Sequence, residues 1–237
     1  MSNNLDAFIT HKLPLPEPLA TSTEILDRQS TFVAYIFRAS TPEMARSIHS
    51  HVRQVLHAKR PASHEIMAWR CMVLKEGRTG LRGDDDFKIE EGSEDDGEQW
   101  AGTHVLKVMR SEAIVDAVVV VSRWYGGTML GPIRFTHIQD CAREVCQVFR
   151  VEDEMQDCVS TLKNLDDILA DLREELANVK KANRQSPDSK AKPHTSKKDY
   201  SALQKSLDMV KARRQISARE KAIESVKRLI NEERSSA

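Results

Sequence analysis

Glycine is scarce in this sequence and is confined to one stretch. All nine glycines of the 237 residues lie between Gly77 and Gly131, so tight turns and close backbone approaches are expected there. Long apolar runs are also missing, because the longest, 32–37, has six residues against the roughly 20 that span a bilayer. The first 20 residues lack the apolar core of a secretory signal. These absences favour a cytoplasmic protein.

The cysteines lack the spacing of a metal or redox motif. The sequence contains four of them and no CxxC pair: Cys71, Cys141, Cys146 and Cys158. Free thiols in a reducing compartment are the simplest interpretation.

A net charge of zero hides three unlike segments. Residues 1–150 carry 18 basic and 20 acidic side chains, residues 151–179 carry 2 and 9, and residues 180–237 carry 16 and 7. The chain is therefore neither a uniformly basic nucleic-acid binder nor a uniformly acidic tail. An almost neutral region is followed by an acidic segment and then by a basic one.

Hydrophobic periodicity in the first 150 residues predicts an α+β domain. Strands are expected over 30–38, 66–75 and 115–121, and helices over 42–60, about 99–112 and 132–149. Thr41 precedes Pro42, which is typical of a helix start. A further edge strand is expected around Phe87–Ile89. This order predicts a two-layer plan, with helices packed on a small sheet.

Beyond residue 150 the apolar period changes to that of a coiled coil. Nine apolar residues alternate in steps of four and three: Val151, Met155, Cys158, Leu162, Leu165, Leu169, Leu172, Leu176 and Val179. We therefore divide the chain into an extended tail (1–27), the α+β domain (28–150), an acidic coiled-coil helix (151–182), a flexible linker (183–199) and a basic helix (200–234).

The acidic and basic helices have opposite charges, so two arrangements are considered. They are expected to fold back on each other as an antiparallel pair within one chain. The alternative is a parallel homodimer through the first helix alone.

The densest cluster of charge lies in 84–98, which holds nine acidic residues and one lysine. Asp95, Asp96 and Glu98 precede an expected helix, where carboxylates complement the backbone dipole. The alternative is a divalent-cation site, although the spacing is not that of an EF-hand.

A glycine-containing loop follows the expected strand 115–121. Its residues Arg123, Trp124, Tyr125, Gly126 and Gly127 combine one cation, two aromatic faces and a flexible backbone. Such a loop can bind a phosphate or a single-stranded nucleic acid. Equally, its aromatic side chains can pack against the sheet.

No catalytic group is evident, so a non-enzymatic protein without a cofactor or bound metal is expected. His137 and Cys141 are four residues apart on one helix face, but two metal ligands without an obvious third are more often packing residues. No serine or cysteine has a base nearby in the sequence. An enzyme that acts on a phosphorylated substrate stays a third, less supported hypothesis.

Three blocks resemble the Impact family. They are Ser93–Glu98 with Ala101-Gly102, Val119–Gly131 (VVVSRWYGGTMLG), and the stretch from Arg134 through His137 to Arg143. Residues 62–70 also resemble the family, which includes bacterial YigZ-like proteins and eukaryotic regulators of general amino-acid control. The resemblance covers about residues 28–150.

The resemblance implies a β-α-β fold like that of the second domain of small-subunit ribosomal protein five. It also implies a non-enzymatic role in stress-responsive control of translation. Eukaryotic members restrain a starvation-responsive kinase by competing for its ribosome-associated activator, and they bind actin. Because 27 residues are too few for the RWD domain that those members carry, we expect the contact with the activator to differ here.

Two binding functions follow from these observations. The first is a regulator of translation that acts through protein–protein contacts, with candidate residues Asp95, Asp96, Glu98, Arg123, Trp124, Tyr125, Gly126, Gly127, Arg134 and His137. The second is an RNA- or ribosome-binding module that uses the loop Arg123–Gly131 and the basic C-terminal segment.

Overall fold

The computed structural model describes residues 17–183 and 198–235. The chain divides into two compact units, Met1–Arg150 (unit 1) and Val151–Ala237 (unit 2). The strands are β1 (Ala20–Thr21), β2 (Ile25–Asp27), β3 (Ser30–Arg38), β4 (His64–Leu74), β5 (Phe87–Glu94) and β6 (Ala117–Trp124). The helices are α1 (Pro42–His51), α2 (Ala101–Ser111), α3 (Ile133–Asn183), α4 (Ser201–Ser206) and α5 (Met209–Ser235).

The sheet of unit 1 is antiparallel and has the strand order β1-β3-β6-β4-β5, with β2 also paired to β3. Strand β6 lies between β3 and β4, and its five residues 117–121 are fully buried. An uninterrupted apolar strand is expected at such a position, since it has no solvent-facing side. The predicted edge strand around Phe87–Ile89 is confirmed as β5.

Helices cover both faces of this sheet. Alternate residues of β3 and β6 pack in a core with α2 and α3, and the residues between them pack with α1. The predicted α+β class with a helical C-terminal extension is confirmed. The arrangement differs from the predicted two layers because β6 is apolar on both faces, and each face needs a cover.

Helix α1 is shorter than predicted. The Thr41 hydroxyl accepts a hydrogen bond from Met44 N at 3.2 Å, which confirms the predicted N-cap. The α-helix ends at His51 and a π-helical turn, Val52–Leu56, follows it in place of a helix to residue 60. The wider turn brings His57 into the interior, where its side chain is 5% exposed.

Helix α3 is longer than predicted. It begins at Ile133, directly after Pro132, and continues without a break to Asn183, whereas the sequence suggested two helices that meet near residue 150. Near residue 150 the hydrophobic pattern changes from that of a globular domain to a heptad repeat. This change alters which residues pack against the helix, but the backbone stays helical throughout.

Heptad residues of α3 contribute to the core of unit 2, together with Val159, which is buried in place of its predicted neighbour Cys158. Met155, Val159 and Leu162 pack with residues from α4, α5 and the segment before α4, namely Tyr200, Leu203 and Ala212. Ion pairs flank this core, including Glu154–Arg213, Asp166–Arg219 and Glu175–Arg234. The acidic and basic segments of this chain therefore contact each other.

The direction of the pair was predicted wrongly. Residue numbers rise together on the two helices, from Glu154–Arg213 to Glu175–Arg234, so α5 runs parallel to α3 and not antiparallel. Lys198 and Tyr200 contact Asp166, whereas Arg213 contacts Glu154. The chain therefore passes back along α3 between residues 198 and 213, and α5 then follows α3 toward its C-terminal end.

Two predicted segments lie largely outside the described residues. These are the linker 183–199 and the first part of the tail 1–27. The last part of that tail contains β1 and β2, which join the sheet. The predicted basic helix 200–234 is interrupted at Leu207, whose φ of 50° is left-handed. Among residues 17–183 and 198–235, no helix is both long and apolar enough to cross a membrane.

Candidate functional site

The start of β4, the end of β6 and the first turns of α2 and α3 meet at one end of the sheet. His64 on β4 lies directly opposite Arg123 on β6, and Ser63 N donates to the Arg123 carbonyl at 2.8 Å. These contacts continue the pairing of the two strands to their ends. The loops that follow them are therefore anchored on the sheet.

A buried carboxylate joins these loops. Glu98 accepts hydrogen bonds from Arg123 Nη1 on Oε2 and from Arg134 Nε on Oε1, and His64 Nε2 lies 3.8 Å from Oε2. Glu98 and Arg123 are each 5% exposed. Arg134 also donates to the Gly131 carbonyl at 2.7 Å. A buried charge is tolerated when its partners satisfy it, so we interpret this Arg–Glu–Arg cluster as the element that fixes the loops.

The neighbouring carboxylates have other partners. Asp95 accepts from the backbone N–H groups of Trp100 and Gly102 at 2.9 and 2.8 Å, at the start of α2. Asp96 accepts from Arg53 Nη2 at 2.7 Å and from the Glu65 N–H at 2.7 Å. Asp95 thus satisfies free amides at a helix N-terminus. In the part of the chain that the structure describes, no three His, Cys, Asp or Glu residues are grouped to hold a metal ion.

The aromatic residues of the loop have unequal exposure. Trp124 Nε1 donates to the Arg60 carbonyl at 3.1 Å, and the Arg60 guanidinium lies 4.8 Å from the centre of the indole ring. Tyr125 is 44% exposed, with the Arg123 guanidinium 5.6 Å from its ring. Arg123 and Trp124 therefore pack within the domain, as the second interpretation of this loop expects, whereas Tyr125 faces solvent.

Glycine is required at two positions of this loop. A Cβ on Gly126 would lie 2.1 Å from the carbonyl carbon of Gln29, and this backbone contact leaves no room for a side chain. Gly126 N also donates to the Ser30 hydroxyl at 3.1 Å. Gly127 has a φ of +85°, which other residues rarely adopt. The paired glycines therefore hold the loop against the chain that enters β3.

His137 and Cys141 do not form a pair. His137 Nε2 lies 2.9 Å from Asp27 Oδ2, whereas the Cys141 thiol faces the Phe32 carbonyl at 3.8 Å. Hydrogen bonds from Arg28 and then from His137 lower the pKa of Asp27 to about 2. His137 therefore connects α3 to the end of β2.

Sequence reasoning missed a second buried polar cluster, on the opposite face of the sheet. His57 Nδ1 lies 2.8 Å from Glu65 Oε1, and its Nε2 lies 3.2 Å from the Tyr35 hydroxyl. His57 therefore connects Glu65 of β4 with Tyr35 of β3. The only signal in the sequence was a glutamate directly before a buried strand.

Four apolar side chains on the loops and helix starts that carry the Arg–Glu–Arg cluster are exposed. They are Trp100, Tyr125, Met129 and Ile133, with exposed fractions of 63%, 44%, 82% and 41%. Trp100 and Tyr125 each lie two residues after a member of the cluster, Glu98 and Arg123, and Ile133 directly precedes Arg134. We call these four residues the signature surface.

The fold and this end of the sheet define an α+β domain whose loops are held by internal ion pairs and present an apolar rim. The profile of the Impact N-terminal domain matches residues 28–146. The chain belongs to the Impact family, and the resemblance predicted from its sequence blocks is confirmed.

Several characterised relatives share this region. Protein IMPACT of Mus musculus is 37% identical over 138 residues, which cover 57% of this chain and 38% of the mouse protein. An IMPACT family member of Schizosaccharomyces pombe is 34% identical over 134 residues, covering 56% and 39% of the two chains. This chain thus spans about two fifths of the length of these relatives.

Two solved structures are also similar to this chain. A crystal structure of a hypothetical protein has a TM-score of 0.41 and 24% identity, and covers 56% of this chain and 58% of its own. The two-domain translational regulator Yih1 has a TM-score of 0.35 and 32% identity, and covers 53% of this chain and 44% of its own.

Proposed function

We propose that this chain is a non-enzymatic, cytoplasmic regulator of translation that acts through protein–protein contacts. Membership of the Impact family supports this role, because the family includes regulators of general amino-acid control. The observation that carries the proposal is the signature surface. Aromatic residues and methionine are enriched at protein interfaces, and residues held by a rigid support lose little entropy on binding.

The three buried thiols are not ready nucleophiles. Burial raises the pKa of Cys71 and Cys141 to about 11 and that of Cys146 to about 12. All three are therefore protonated at neutral pH, and a protonated thiol is a poor nucleophile. The two arginines of the site, Arg123 and Arg134, are already paired with Glu98, so they support the fold before any ligand arrives.

An affinity capture experiment with the full chain tests the proposal. We expect the wild-type chain to retain translation-control proteins from a cell extract, and we expect the Trp100→Ser/Met129→Ser variant to lose them. A matched control, Leu26→Ser/Val210→Ser, also removes two exposed apolar side chains, which are 68% and 62% exposed. It should retain the same proteins.

Two results would contradict the proposal in different ways. Equal retention by the wild type and the Trp100→Ser/Met129→Ser variant would exclude the signature surface as the contact. Capture without any translation factor would exclude the regulatory role. The identity of what is retained, whether the kinase activator, actin or a ribosomal protein, would name the partner.

A second function, RNA or ribosome binding, is favoured by one feature of α5. Arg214, Lys221 and Arg228 are exposed and lie seven residues apart, which places them about 10 Å from one another along one side of the helix. If this row binds phosphates, the logarithm of RNA affinity should fall with the logarithm of salt concentration, with a slope of about −0.7 per phosphate neutralised. An affinity that does not respond to salt would exclude this function.

A further inference from the structure

The outer edge of β5 is open to strand pairing. Strand β5 stands at the end of the strand order and pairs with β4 alone among the described strands. An edge strand presents a row of backbone N–H and C=O groups that an extended peptide can pair with. The question is which peptide its side chains would accept.

One face of β5 is apolar at the beginning of the strand. Ile89 lies opposite Met72 of β4, and Phe87 lies opposite Leu74. Met72, Leu74 and Ile89 are 47%, 48% and 45% exposed, and nearby Leu81 is 89% exposed. Helix α2 covers this face only further along, where Arg110 pairs with Glu91. The beginning of the edge therefore has an uncovered apolar strip.

The other face of β5 is acidic. Because side chains alternate along a strand, Lys88, Glu90, Gly92 and Glu94 share this face. Glu90 and Glu94 are exposed, and the contact of Glu90 with Lys88 is long, at 4.0 Å. Between them, Gly92 lies against the ring of Trp69 and adds no side chain. The two faces of this edge thus differ in chemistry, with apolar groups on one and negative charge on the other.

We propose that the outer edge of β5 binds an extended peptide in which apolar and basic residues alternate. Such a peptide would add a strand to the sheet, place its apolar side chains beside Ile89 and Phe87, and place its basic side chains beside Glu90 and Glu94. Opposite charges on adjacent strands stabilise a sheet and like charges destabilise it. A second copy of β5 would bring acidic residues together, so charge favours a basic partner.

A synthetic peptide tests this inference on the full chain. The probe is an acetylated and amidated Lys-Val-Lys-Val-Lys-Val-Lys, and the control peptide has the same composition in the order Lys-Lys-Val-Val-Val-Lys-Lys. We expect the alternating peptide to slow hydrogen exchange of the β5 backbone amides. In calorimetry, the control peptide should bind roughly tenfold or more weakly, because its side chains do not match the two faces.

A charge reversal identifies the surface. Glu90→Lys/Glu94→Lys should weaken binding of the alternating peptide by roughly tenfold. Glu220→Lys/Glu224→Lys on α5 has the same net charge and should leave the affinity unchanged. Both glutamates of this control are exposed.

Three outcomes would overturn the inference. They are equal affinity for the two peptides, equal loss in the two charge variants, and a self-association of the chain that protects β5 without peptide. The test does not depend on the proposed role in translation, because the probe is not a cellular factor.

Discussion

The two units of this protein treat charged side chains in opposite ways. Unit 1 buries Glu65, Asp86, Glu98 and Arg123, each with no more than 5% exposure. Unit 2 keeps most of its ion pairs at the margin of an apolar seam, as in Glu175–Arg234, where the side chains are 41% and 59% exposed; in Asp166–Arg219 they are 17% and 22% exposed. Buried pairs are costly to break, whereas exposed pairs contribute little. Charge therefore shapes the loops of unit 1, while apolar packing stabilises unit 2.

The largest expected effect is the loss of the buried carboxylate. Replacing Glu98 by alanine leaves the buried Arg123 guanidinium without its partner and releases Arg134. We expect the free energy of unfolding of unit 1 to fall by about 3–5 kcal/mol. All three tryptophans, Trp69, Trp100 and Trp124, belong to unit 1, so urea denaturation followed by tryptophan fluorescence measures this unit selectively.

The control for this substitution is Glu76→Ala, which removes an exposed carboxylate from unit 1. It should change stability by less than about 0.5 kcal/mol. If Glu98→Ala were equally mild, the Arg–Glu–Arg cluster would not be what holds the loops, and the contrast between the units would fail.

The next effect tests the apolar seam of unit 2. Leu162 lies on α3 and is fully buried against the residues around Leu203. Leu162→Ala should reduce the stability of unit 2 by about 3 kcal/mol, because it removes buried methyl groups and leaves a cavity. Helix content measured by circular dichroism should show an earlier transition, while the fluorescence transition of unit 1 stays in place.

Coincident shifts of the two signals would contradict that expectation and show that the units unfold together. Ile168→Ala is a matched control, because this residue lies on the same helix and is 45% exposed. It should cost clearly less than Leu162→Ala.

The success of sequence-based prediction differs between local and distant contacts. The heptad residues Met155, Leu162 and Leu169 were predicted from spacing alone and are buried, since periodicity determines which side of a helix is apolar. Likewise Asp95 was expected near a helix start, and it binds the first amides of α2. Such features depend on neighbours within about seven residues along the chain.

Contacts between distant residues could not be predicted in this way. Glu98 meets Arg123 and Arg134, which lie 25 and 36 residues further along the chain, and no periodic pattern records such pairings. The parallel direction of α5 likewise depends on distant contacts, such as those of Glu154 with Arg213 and Glu175 with Arg234. The acidic and basic segments were correctly expected to meet, because opposite charge is a property of whole segments and does not specify direction.

A smaller effect is expected from a glycine in unit 1. A Cβ on Gly92 would lie 2.3 Å from the ring of Trp69, so Gly92→Ala forces the indole to move. We expect a loss of about 1–3 kcal/mol from this overpacking, measured by the fluorescence of unit 1. The double variant Gly92→Ala/Trp69→Leu should show less than the summed loss of the two single variants. Additive losses would mean that the two side chains do not compete for space.

Acid should act on unit 2 through Asp166. Burial alone would raise the pKa of this carboxyl, but hydrogen bonds from Lys198, Tyr200 and Arg219 outweigh it and lower the pKa to about 2. Since the folded value lies below the ordinary 3.8, the ionised group stabilises the fold above about pH 4, and this contribution is lost as the pH falls toward 2.

We expect that loss to be about 1–2 kcal/mol, measured as a change in the thermal midpoint of unit 2 between pH 5 and pH 2. In the variant Asp166→Asn, the midpoint should be lower at pH 5 and should depend less on pH in this range. The same pH dependence in wild type and variant would assign the effect to other carboxylates.

The smallest effect should come from the exposed pair at the end of the seam. Glu175 Oε1 accepts from Arg234 Nη2 at 2.6 Å, but both side chains are largely in solvent. Glu175→Gln should therefore cost about 0.2–1 kcal/mol at low salt and almost nothing in 1 M salt, where the screening length is about 3 Å. The loss caused by Glu98→Ala should persist at the same salt concentration, because ions do not reach a buried pair. A large, salt-resistant loss for Glu175→Gln would show that unit 2 also depends on fixed charge, and the two units would then differ only in exposure.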